Sequence, residues 1–159
     1  MKKIIINTSK TGLLVLFLLV SQTLTAQDKK MMPNDGSTVT MSKYSFDETV
    51  DILKGAIEGQ NLMVIHEVDG QKMLKMAGKN IGGMKQLYFF HPKYMAKLLE
   101  ANEMAGIQVP LKLIIMEKGD KVMIRYFMPS AVLSSYKGTE SIANELDGLV
   151  SKIISETTK

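Results

Sequence analysis

The chain has no cysteine and no tryptophan, and only four prolines and two histidines in 159 residues. Without cysteine there is no disulfide framework, no thiolate zinc ribbon and no thiol nucleophile. Lipid attachment at a cysteine behind the amino-terminal apolar run is excluded for the same reason. Stability must therefore come from packing. Acid is missing from residues 1–26, although three lysines stand there. Long apolar runs are missing too, since residues 12–20, GLLVLFLLV, fall short of the roughly 20 that cross a bilayer as a helix.

That short run has a recognisable setting. MKKIIINTSK before it is basic, and SQTLTA after it ends in small residues. The pattern predicts a secretory signal peptide over residues 1–26, cleaved after Ala26, and hence a periplasmic or secreted protein. Leu24 is larger than the usual residue three places before a cleaved bond, which leaves the bond after Thr25 as an alternative. A membrane is expected as a partner only if the segment stays uncleaved, with residues 4–6 lengthening it.

Removing Lys2, Lys3 and Lys10 leaves 20 − 3 = 17 basic against 16 acidic residues, so the whole chain's +4 becomes +1. Charge so nearly balanced gives no footprint for holding nucleic acid. The remaining 159 − 26 = 133 residues suffice for one domain with its own core.

Residues 27–36, QDKKMMPNDG, form an expected exposed linker, rich in turn formers. A single domain is expected over residues 37–157. VTMSKY is compatible with a strand, and Ser45 stands three residues before Glu48, the spacing of a helix-starting capping box. Phe46, Val50, Leu53 and Ile57 then follow at helical intervals up to Gly59. LMVIHEV is a strand closed by the turn former Asp69-Gly70. QKMLKMAGKNIGG suggests a short helix and a glycine bend, and QLYFF another strand. The bend is not a phosphate loop, because it lacks the GxxxxGK[ST] order and precedes a strand.

Pro92 suits the first turn of a helix reaching about Ala105, ended by Gly106. LKLIIME and KVMIRYF flank a hairpin turn at residues 118–120, and a last helix starts near Thr139. The expected class is α+β, a two-layer sandwich in which helices cover a mixed sheet containing an antiparallel hairpin. Two successive βαβ passes give the order a ferredoxin-like look.

The stretches LMVIHEVDG, YFFHP and VPLKLIIMEKGDKVMIRYFMP, with a closing tyrosine, resemble the bacterial DUF302-like family of unknown function. The likeness runs from about Met41 to Tyr136 and includes Asp69, Pro92, Pro110, Tyr126 and Pro129. The family often carries a histidine directly after the aspartate, where this chain has Gly70. The resemblance implies a compact α+β domain that self-associates, with a homodimer as the form to test, and no established activity.

Three classes of function remain. Thioether sulfur suits Cu(I), and His66 or His91 could complete a site with the pair Met73 and Met76. Their scatter along the sequence instead predicts that the 12 methionines after Met1 fill gaps in the core. An enzyme would draw on His66 with Asp69, or on His91 with Arg125, but spacing alone assembles no triad or carboxylate pair. A non-catalytic domain recognising a small ligand or an exported protein requires the fewest extra features, and no cofactor or metal is called for. Within it, His91 is expected to serve the junction between strand and helix. A small anion would sit where the helix opened by Pro92 presents free N–H groups beside His91 and Lys93, with Arg125 approaching from the hairpin.

Overall fold

The computed structural model describes residues 35–159. The expected signal peptide, and the linker up to residue 34, lie outside the described residues. Residues 35–159 form one compact unit.

Strand β1 (Thr38–Met41) leads into helix α1 (Phe46–Gly59). Glu48 accepts hydrogen bonds from both the backbone N–H (3.0 Å) and the hydroxyl (2.6 Å) of Ser45. The acidic half of the capping box is therefore in place, and these bonds hold the Glu48 carboxyl below its ordinary range. Strand β2 (Met63–Asp69) follows, then the short helix α2 (Gly70–Met76), whose first turn is capped by Asp69 accepting from the Lys72 N–H at 2.8 Å. After the glycine bend come strand β3 (Met84–Phe90) and helix α3 (Pro92–Ala101).

The expected continuation of α3 to Ala105 does not occur. Asn102 takes an extended conformation, and its side chain accepts from the Met104 N–H at 3.1 Å. That local bond ends the helix and starts a 3₁₀ turn over Glu103–Gln108. A cis peptide joins Val109 to Pro110. Strands β4 (Leu111–Lys118) and β5 (Lys121–Tyr126) make the expected hairpin, followed by helices α4 (Pro129–Leu133) and α5 (Glu140–Ser155).

The α+β class is as the sequence implies, but the sheet is wholly antiparallel rather than mixed. Its order is β1-β5-β4-β3-β2, and every neighbouring pair is antiparallel. The strands joined through α1 lie at opposite edges of the sheet, so they never pair. The ferredoxin-like look therefore stops at element order.

Side chains on a strand alternate between faces, which divides the sheet in two. Leu87, Phe89, Leu113, Ile115 and Ile124 face the helices and join Leu53, Ile57, Leu98, Leu146 and Ile153 in one buried cluster. On the other face lie Val39, Met41, Met84, Gln86, Tyr88, Lys112, Ile114, Met116, Met123 and Arg125, none of which belongs to that cluster.

The methionines overturn one expectation. The buried cluster contains no methionine, and Met95 and Met128 touch only its margin. Met41, Met63, Met73, Met76 and Met104 are 42, 46, 60, 85 and 76 % exposed. Leucine, isoleucine, valine and phenylalanine, with better-defined rotamers, fill the interior instead.

Candidate functional site

The sequence brings His91, Lys93 and Arg125 together only on paper. Arg125 stands opposite Ile114, and Ile114 opposite Gln86. His91 lies five residues beyond Gln86, about 17 Å further along at about 3.4 Å per residue, and two strands, about 10 Å, to the side. The three residues form no common site, and the pair His91 with Arg125 is excluded with them.

His91 instead caps α3, its Nδ1 accepting from the Lys93 N–H at 3.1 Å. One of the free donors that an anion would have used is thereby taken. Lys93 and Lys97 approach the Tyr94 ring at 5.7 and 5.6 Å. Pro92 occupies the first turn, as expected.

His66 and Asp69 are also apart. His66 lies opposite Tyr88 on the face away from the helices, its ring 6.0 Å from the tyrosine ring, whereas Asp69 lies opposite Lys85 on the helix side and caps α2. The two stand three residues apart in an unbroken stretch of β2, and that odd spacing puts them on opposite faces of the sheet. Met73 and Met76 stand on α2, 60 and 85 % exposed. Among the described residues, no cluster of three or more His, Cys, Asp or Glu could hold a metal ion.

Glu67, next to His66 on β2, sits between two lysines. It pairs with Lys54 of α1 and with Lys85 of β3 at 2.7 Å. Hydrogen bonds from Lys54 and then Lys85 hold the Glu67 carboxyl below its usual range, and Glu67 raises the Lys85 ammonium above its own. These partners join a helix to an edge of the sheet, so the triad is a fastening.

The face away from the helices is where polar and apolar groups converge on open space. A cavity of about 240 Å³ there has Asp35, Gln86, Lys112, Ile114, Arg125 and Phe127 among its lining residues. Ile114 and Phe127 give it an apolar floor. Arg125 is already engaged, through an ion pair with Asp35 and a 2.9 Å bond to the Ser37 hydroxyl. The Ser37 hydroxyl and backbone N–H, with the Arg125 guanidinium beyond them, hold the Asp35 carboxyl below its ordinary range. Asp35 thus belongs to the folded unit, although the sequence placed it in the linker. Gln86 accepts from the Tyr88 hydroxyl at 2.9 Å. Lys112 makes no ion pair among the described residues, leaving one free ammonium beside the apolar floor. A strand's alternation could have signalled this face, but only sheet order shows which strands share it.

The sequence model for the domain of unknown function DUF302 matches residues 37–157. The chain belongs to the DUF302 family. A crystal structure of an uncharacterized conserved DUF302 protein from Bacillus stearothermophilus superposes with a TM-score of 0.71 at 16 % identity, covering 77 % of this chain and 98 % of that one. At that identity the likeness establishes a shared DUF302 fold. No curated protein matches. The Asp69, Pro92, Pro110, Tyr126 and Pro129 that suggested the DUF302 resemblance all have structural places: a cap, two helix starts, a cis junction and the end of β5.

Proposed function

We propose that this DUF302 domain is an exported, non-catalytic module that binds a small amphipathic anion on the sheet face opposite its helices. The single observation that carries this reading is the juxtaposition of Lys112, unpaired among the described residues, with the Ile114 and Phe127 floor in one open cavity. An alkyl carboxylate suits it: the chain lies on the apolar floor and the carboxylate meets the ammonium. Arg125 can contribute by exchanging Asp35 for the ligand, a like-for-like replacement of one carboxylate by another. Export rests on the basic start and apolar run of residues 1–26.

Titrating isotopically labelled protein with octanoate, phosphate and sulfate tests the site. Resonances of Lys112, Ile114 and Phe127 should move with octanoate and stay still with the inorganic anions, and Lys112→Ala should weaken binding several-fold. Movement confined to His91 and Lys93, or no octanoate response at millimolar concentration, would defeat the proposal. Amino-terminal sequencing of exported protein should find Gln27 first, or a residue beside it, whereas a mature form keeping Met1 would replace export with anchoring.

A further inference from the structure

Four adjacent strands each contribute one methionine to a single row across the sheet. Met41 lies opposite Met123, Met123 opposite Met116, and Met116 opposite Met84. The sequence distances between them hide this alignment entirely. Residues directly opposite in neighbouring strands have Cβ atoms about 4.5–5.5 Å apart, and methionine adds three rotatable bonds beyond its Cα. Neighbouring thioethers of the row can therefore converge on one small ion without any movement of the backbone.

Packing does not account for the row. None of the four joins the buried cluster, and only Met123, in the middle of the row, is itself buried. Met84 and Met116 line an open cavity of about 440 Å³ between the glycine bend and the β4–β5 turn, with Glu117 at its side. The Met84 thioether rests over Gly70, where an added Cβ would stand 3.0 Å from its sulfur. The absence of a side chain at Gly70 gives that thioether its room. Leucine or valine would cover the same face equally well, so what this row adds is sulfur.

Thioether sulfur is an uncharged, soft donor that favours Cu(I) over the oxygen-seeking Mg²⁺ and Ca²⁺. We propose that the row Met41, Met123, Met116 and Met84 is a Cu(I) site, with Met116 and Met123 as its central ligands and a third thioether supplied from either end. Glu117, the next residue along β4, lines the same cavity with its carboxylate engaged by the Gly83 N–H at 2.9 Å, so the row itself is built of uncharged thioethers. The proposal stands apart from the anion site beside Lys112, since it uses different side chains and a different ligand.

The test uses purified full-length chain with Cu(I) held by bicinchoninate under ascorbate. The protein should withdraw Cu(I) from the chelator. Met116→Leu and Met123→Leu, which conserve volume, should each weaken binding about tenfold or more. The double variant Met73→Leu/Met76→Leu, altered on the exposed face of α2, should bind as the parent does. In parallel, Ag(I) added to protein carrying ¹³C-methyl methionine should shift the methyl signals of the row and leave Met73, Met76 and Met104 in place, which needs no variant to fold. Failure of the parent to withdraw Cu(I), silver shifts confined to methionines outside the row, or loss of binding in the α2 double variant would each overturn the site.

Discussion

Replacing Gly83 with alanine isolates one close approach on which the glycine bend depends. A Cβ built there would lie 2.6 Å from Cδ1 and Cγ of Phe46 and 2.7 Å from its Cδ2. All three distances are far inside the roughly 3.5–4.0 Å of ordinary carbon contact. Phe46 opens α1 and packs against the buried cluster, so its ring cannot swing aside without losing apolar contact. Overpacking of this kind costs about 1–3 kcal/mol, and three simultaneous clashes place Gly83→Ala near the middle, about 2 kcal/mol. For a domain of this size that lowers Tm by about 8 °C. Phe46→Ala alone should cost about 2 kcal/mol, below the range for fully buried phenylalanine because the ring is only partly buried. Were the two independent, the double variant would lose about 4 kcal/mol. It should instead lose about 2 kcal/mol, because the new methyl enters space the ring has left. Urea unfolding of all four proteins measures the coupling. A Gly83→Ala protein within about 0.5 kcal/mol of the parent, or strict additivity in the double, would refute the account.

Gly148 lies inside α5 with nothing within 4 Å of an added Cβ, so Gly148→Ala should stabilise by about 0.5–1 kcal/mol in the same assay. Glu67 has a lowered folded pKa, so its contribution is present above the ordinary carboxyl range and is lost as pH falls through the lowered value. Lys85, with a raised pKa, contributes below the ordinary lysine range and loses that contribution as pH rises through the raised value. Partial exposure limits the triad to about 0.5–1 kcal/mol. Glu67→Gln should show that loss at pH 7 and a shallower decline on acidification, and an unchanged acid limb would contradict the assignment. His91→Ala should cost about 0.5–1 kcal/mol by removing the cap of α3, and His91→Asn should restore it, with thermal unfolding as the readout.

Much of the fold was legible because its signals are local. Phe46, Val50, Leu53 and Ile57 spell out one helical face, Pro92 marks a helix start, and alternation within LKLIIME and KVMIRYF marks the hairpin. The end of α3 was not legible, because the Asn102 side chain competes with Gly106 for the stop and wins through one bond to Met104. Sheet order depends on pairings between distant segments, and everything that rests on it was hidden. Arg125 looked available to His91 until the register put five residues and two strands between them. Glu67 looked like a lone acid because Lys54 and Lys85 reach it from separate elements. The methionines looked scattered for the same reason.

The bulge in β2 has a consequence for how the molecule meets its own kind. β2 forms one edge of the sheet, and Ile65, at 57 % exposed, is its extra residue. A strand edge with every N–H and C=O in regular order is a template for pairing with another chain, and a bulge spoils that order. Excising Ile65 alone would let Val64 and His66 follow one another in register with Phe89 and Tyr88, keeping both on their present faces. The shortened protein would keep its core and gain a straight, unguarded edge. The bulge at Ile65 thus makes β2 the irregular edge of the sheet, whereas β1 pairs with β5 in unbroken register.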